Sequence, residues 1–129
     1  MTNRLPTFKR TERGWAGHYI LSHRCLFRRN TLLEMEGSKI VVSTVGLLLN
    51  KDEVTREPIF TSRWYETRAF VAKEKDVFND GDFSREIIID SKHAIFKPDA
   101  EIEANQMHED VVKELEHKMH AGKIEEIER

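Results

Sequence analysis

The hydrophobic and polar positions change their period once along this chain, near Pro98. Before it, apolar and β-branched residues come in short runs separated by turn-forming residues; after it they recur at steps of three and four. Ile40-Val41-Val42-Ser43-Thr44-Val45 is rich in side chains whose stiff χ1 suits a pleated surface better than a helix. The β-prone runs Thr31 to Met35 and Lys39 to Leu49 flank Glu36-Gly37-Ser38, and so short a glycine-bearing connection predicts a hairpin. Trp15 to Phe27 reads as a strand interrupted near Ser22 to Arg24, and Asn50 to Pro58 as a solvated loop. Ser62 to Lys73 alternates Trp64, Glu66, Arg68, Phe70 and Ala72 against Arg63, Tyr65, Thr67, Ala69 and Val71, which predicts a strand with two contrasting faces. Asn79-Asp80-Gly81-Asp82 is a turn signal, Ser84 to Asp90 supplies a fifth strand, and His93 to Phe96 adds a short sixth.

After Pro98, Ala104, Met107 or His108, Val111, Val112, Leu115 and Met119 make one apolar stripe of an amphipathic helix. Asn105 or Asp99 is positioned to cap its start and Gly122 its end. Acids in its early turns and His117, Lys118 and His120 near its end agree with the helix dipole. The expected fold is α+β: a strongly bent antiparallel sheet of about five to six strands packed by one C-terminal amphipathic helix. Residues 1–129 are expected to form one domain, with a basic N-terminal arm or edge segment at 1–13, a β-rich body at 14–96, the helix at 99–121 and a tail at 122–129.

Composition narrows the classes. The chain has 129 residues, 39% of them hydrophobic, enough for a core without staples. A net charge of −2 with 34% charged residues excludes both a polycation for nucleic acid and an acidic disordered chain. One cysteine, Cys25, excludes an internal disulfide and fits a reducing cytoplasm. The longest apolar stretch, Val45 to Leu49, is far too short to cross a bilayer, so no membrane partner is expected. The charge is nevertheless sorted by position. Residues 1–31 carry seven cations (Arg4, Lys9, Arg10, Arg13, Arg24, Arg28, Arg29) against Glu12, whereas residues 99–129 carry ten acids against four bases. Such a separation either guides a partner or fastens one end of the molecule to the other.

Four groups are candidates for chemistry. Lys9, Arg10, Arg13, Arg24, Arg28 and Arg29 form a basic footprint in which arginine forks meet phosphate or carboxylate, with Trp15 or Phe27 available to stack on a base. No nucleic-acid motif accompanies it, and pairing with the acidic helix is an equal reading. His18, His23 and Cys25 are possible soft-metal ligands, but their spacing fits no local zinc pattern and a buried cysteine with two ordinary histidines is the plainer account. His117 and His120, with His108, read as a solvated helix end before they read as a metal clamp. Glu66 beside Arg68 is a structural ion pair ahead of a general base, and Asp76, Asp80 and Asp82 are turn residues, not a calcium loop.

Gly14-Trp15-Ala16-Gly17-His18, Cys25-Leu26-Phe27-Arg28-Arg29-Asn30-Thr31-Leu32-Leu33, Val42-Ser43-Thr44-Val45-Gly46, Tyr65-Glu66-Thr67 and Asp82-Phe83-Ser84-Arg85 resemble strings in small uncharacterised proteins of phages and prophages, over roughly residues 12–95. The resemblance implies a bacterial or phage origin and brings no activity, cofactor or site residue; Arg68 stands where methionine is expected in the related strings. The function expected is that of a non-enzymatic binding protein without a cofactor, engaging a protein or nucleic-acid partner through its charge-polarised surface. The alternative is a small metal-dependent hydrolase or nuclease using His18, His23, Cys25 and Glu66. A homo-oligomer joined through the helix or a free sheet edge is a third possibility.

Overall fold

A computed structural model describes residues 7–14, 17–19, 21–73 and 80–128. Seven strands, β1 (Phe8–Arg13), β2 (Cys25–Met35), β3 (Ser38–Leu49), β4 (Arg56–Glu57), β5 (Tyr65–Ala72), β6 (Gly81–Glu86) and β7 (Ala94–Ile95), are followed by one helix, α1 (Glu101–Ala121). The sheet runs β1-β2-β3-β5-β6 with every pairing antiparallel, and β4 and β7 add short pairings to β3 and β5. The fold is therefore α+β, a curled antiparallel sheet packed against one C-terminal helix. No helix among the described residues is long and apolar enough to cross a membrane.

The β2–β3 hairpin lies where the glycine signal puts it. Glu36 and Gly37 both have positive φ (49° and 82°), the backbone of a two-residue turn whose twist matches its strands. The strands are longer than the β-branched runs, because Cys25 to Asn30 extend β2 against the far end of β3. At Gly46 a Cβ would sit 2.4 Å from Tyr65 Cδ1 and 2.5 Å from the Trp64 carbonyl oxygen, so only glycine lets the two strands close there. Leu47 follows at φ 52°, and the bend places Leu47 in the helix-side core and Leu48 in the core on the opposite face.

Alternation along β2, β3 and β5 sends Leu33, Met35, Ile40, Val42 and Ala69 toward Val111, Val112, Leu115 and Met119 of α1. A second helix-side cluster joins Tyr65, Ile95, Ala104 and Met107. The other face is apolar in patches too: Cys25, Val45, Leu48 and Ile59 pack there, as do Leu32, Val41 and Ala72. Burial on both faces explains why Ile40 to Leu48 reads as one continuous run.

Several boundaries differ from the sequence pattern. Ser22–Arg24 is a 3-10 turn, not a gap within one strand, and β2 begins only at Cys25; Trp15, Ala16 and Ile20 lie outside the described residues. The loop from Asn50 to Pro58 contains β4. The fifth-strand signal at Ser84 to Asp90 is displaced, because β6 starts at Gly81 and ends at Glu86. The Ile87 amide still donates to the Ala69 carbonyl of β5 at 2.8 Å, and the segment also meets the tail: Ile87 bridges Glu126, the Ile88 amide donates to the Glu125 carbonyl at 2.8 Å, and the Ile127 amide donates to the Glu86 carbonyl at 2.8 Å. The helix N-cap is Ala100, with no side-chain cap, so neither Asp99 nor Asn105 serves there. Gly122, at φ 66°, ends the helix as expected, and the Lys123 amide reaches back to the Lys118 carbonyl.

Candidate functional site

Strand parity divides the basic footprint. Arg10 and Arg29 project toward α1, where Arg10 makes a two-pronged pair with Glu109 (2.8 and 2.9 Å) and Arg29 bonds both Glu109 and Glu12 (each 2.8 Å). Hydrogen bonds from Arg10, and then from Arg29, outweigh burial and hold the Glu109 carboxyl down at about 2. Arg24 donates to the carbonyls of Leu49 and Asn50, and Arg13 donates through Nε to Asn30 Oδ1 at 2.9 Å. Lys9 faces Glu34 across the β1–β2 register, and Arg28 is exposed on β2. Phe27 stacks edge-on against Tyr65 and is half-buried, which removes it as a free stacking platform; Trp15 and Arg4 lie outside the described residues.

Of the proposed metal ligands only His18 and Glu66 come together; His23 and Cys25 do not join them in a metal-holding group. His23 is exposed on the 3-10 turn, whereas Cys25 is buried with its thiol against the Leu21 carbonyl. Burial pushes that thiol up to about 11, against the thiolate that a metal or a nucleophile needs. Among the described residues there is no group of three or more His, Cys, Asp or Glu side chains arranged to hold a metal ion. His117 and His120 are exposed near the end of α1, but His108 points into the core. Asp82 caps its own turn by accepting from the Ser84 amide and hydroxyl; Asp76 lies outside the described residues.

What the fold does bring together is His18, Ser43 and Glu66, from the segment before the 3-10 turn, from β3 and from β5. Their side chains meet on the sheet face opposite α1. His18 Nδ1 lies 2.9 Å from Ser43 Oγ, and His18 Nε2 lies 2.9 Å from Glu66 Oε1. The His18 main-chain N–H also donates to Ser43 Oγ at 3.1 Å. Gly17 makes the approach possible, because a Cβ there would fall 2.2 Å from Val45 Cγ1 and 2.9 Å from Ser43 Oγ. Glu66 accepts further hydrogen bonds from Arg63, and Arg68 Nε lies 2.9 Å from Oε1. Burial alone would raise the Glu66 carboxyl, but the bonds from His18 and Arg63 and the charge of Arg68 bring it down to about 2, so it is a carboxylate.

Beside this chain of bonds lies a cavity of about 500 Å³, lined among the described residues by Gly17, His18, Asn30, Val41, Ser43, Phe70, Lys73, Asp80, Gly81 and Phe83. Phe70 and Phe83 form one wall as an edge-on pair with ring centres 5.0 Å apart, and Phe83 is more than half exposed. His18, Asn30 and Ser43 form the polar wall. A smaller cavity of about 300 Å³ lies on the far side of the His18–Glu66 bond, between Ile59, Phe60, Arg63 and Arg68.

Sequence reading grouped His18 with Glu66, as parts of a metal-dependent hydrolase, but did not bring Asn30 to them and missed Ser43. Asn30 and Ser43 are direct partners in the β2–β3 register, which the hairpin at Glu36-Gly37 fixes once its turn length is known. His18 precedes a turn and carries no period, so nothing local could have shown its partner. No protein-family model, curated protein or solved structure matches the chain significantly, and none of these comparisons bears on the phage and prophage resemblance.

Proposed function

We propose that the protein is a binding protein whose partner is another protein, held at the cavity beside His18 and not through the six cations of the basic footprint. One observation carries the reading: a cavity with an aromatic wall, Phe70 and Phe83, faces a hydrogen-bonding wall, Asn30, Ser43 and His18. An apolar side chain and its adjoining peptide group need that combination of surfaces. Lys73 and Asp80 at the same cavity offer one charge of each sign, which suits a peptide and gives no net attraction for phosphate. Internal pairing of Arg10 and Arg29 also takes two arginines away from the nucleic-acid form.

The test uses N-acetylphenylalaninamide as the smallest probe with both groups. In NMR titrations of the full chain, shifts are expected at the side chains of Asn30, His18 and Phe83, with a dissociation constant on the order of 1 mM, and Phe83→Ala weakens binding severalfold. If those signals stay still at roughly 10 mM probe, the cavity is not a peptide site.

A further inference from the structure

We infer that Ser43, His18 and Asn30 form an acyl-transfer site at the floor of this cavity, able to hydrolyse carboxylic esters of compact apolar acids. The inference rests on the binding reading above and adds chemistry to it. A nucleophile, a base and an orienting acid stand in hydrogen-bonded sequence, Ser43 to His18 to Glu66, each step 2.9 Å. With Nε2–H donating to the carboxylate, Nδ1 keeps its lone pair and accepts the Ser43 hydroxyl proton. The His18 main-chain N–H donates to a lone pair of Ser43 Oγ and so does not compete for Nδ1. Arg63 and Arg68 keep Glu66 charged on its other lone pairs, which makes Glu66 a positioning residue for the imidazole.

Asn30 supplies the remaining part. It stands opposite Ser43 in the β2–β3 register, is 4% exposed and lines the cavity. Because its Oδ1 accepts from Arg13 Nε, its amide N–H groups point the other way, available to a carbonyl oxygen bound beside Ser43. Arg13 is thus a positioning residue for Asn30. Val41, Phe70 and Phe83 give an acyl group its apolar wall, and about 500 Å³ limits that group to a compact one.

In the first step Ser43 Oγ bonds to the carbonyl carbon while its proton passes to His18 Nδ1, and the oxyanion accepts from Asn30. The bond to the leaving alcohol then breaks, and the alcohol takes the proton from Nδ1. Water attacks the acyl-Ser43 ester, gives its proton to Nδ1, and the carboxylic acid departs as that proton returns to Ser43 Oγ. One ester and one water become one acid and one alcohol, and Glu66 stays ionised throughout.

The experiment treats the full wild-type chain with a fluorophosphonate, with intact mass and peptide mapping, alongside hydrolysis of p-nitrophenyl acetate and butyrate. One phosphonyl group on Ser43 is expected, with hydrolysis above buffer that falls about 100-fold or more in Ser43→Ala. Asn30→Ala and Glu66→Gln are expected to lower kcat with little change in KM. Should Ser43→Ala fail to fold, the mapped adduct on the wild type decides alone. No adduct on Ser43, or hydrolysis that survives in folded Ser43→Ala, overturns the assignment. Peptide binding without an adduct removes the chemistry and keeps the binding site; the loss of both removes both.

Discussion

At position 108 a histidine stands where the helical period asks for an apolar side chain, and it is fully buried. Its Nε2 meets Thr31 Oγ1 at 2.7 Å and its Nδ1 meets Thr44 Oγ1 at 2.6 Å; Thr31 donates onward to Glu12, and Thr44 bonds Thr67. A polar line therefore crosses the interface between sheet and helix, every member partnered, which is the condition for keeping polar atoms in a core. Burial, reinforced by the Arg29 charge, pulls the imidazole down to about 4. Its folded value lies below its unfolded value of 6.5, so its contribution is whole above pH 6.5 and is lost as pH falls toward 4. Between pH 7 and pH 5 this amounts to about 2 kcal/mol. Urea unfolding should show wild type losing that much more stability over the interval than His108→Gln, and equal slopes would place the proton elsewhere. The sequence marked Met107 or His108 as inward, and both are; that the histidine would find two threonines depended on strand register, which the helical period does not carry.

At the scale of elements, the parts that were legible had local causes. The Glu36-Gly37 turn, the β-branched β3, the alternation of β5 and the Gly122 cap each follow from residues within a few positions of one another. The displaced β6 had a distant cause: Ile87-Ile88-Ile89 looks like a strand because it is covered, Ile87 and Ile89 by the sheet–helix core and the Ile88 amide by the tail more than 30 positions later. Arg85 pins that tail with a two-pronged bond to Glu126 (3.0 and 2.9 Å). Truncation after Lys123 should leave the fold intact while the Ile88 amide exchanges its hydrogen severalfold faster, the amide of Leu33 in the core serving as the control. If Ile88 exchange were unchanged, the tail would not be its cover. Gly46 tests the middle of the sheet. Its place against Tyr65 and the Trp64 carbonyl predicts that Gly46→Ala costs about 2 kcal/mol or more by overpacking, measured by chemical denaturation, whereas Gly14→Ala, with open space around it, should cost far less.

Across the whole molecule, the separation of charge along the chain is partly closed in space. The edge strand β1 and the middle of α1 are neighbours, and Glu109 and Glu12 gather Arg10 and Arg29 into one network that fastens the sheet edge to the helix. Solvent screening keeps each exposed pair to roughly 1 kcal/mol or less, so the network orients β1 more than it stabilises the fold. Its larger effect is on what the surface offers. An arginine fork closed on a carboxylate must break that bond before it can meet a phosphate, and Glu109 closes two of them at once. Removing that one charge should therefore uncover a basic surface that the wild type lacks. Glu109→Gln is expected to elute from single-stranded DNA–cellulose at distinctly higher salt than wild type, with the difference shrinking as ionic strength rises. Arg10→Gln, which removes a cation already neutralised, should elute close to wild type. Strong, salt-dependent retention of the wild type that Arg10→Gln abolishes would mean that these arginines leave Glu109 for phosphate, and the partner would then be a nucleic acid.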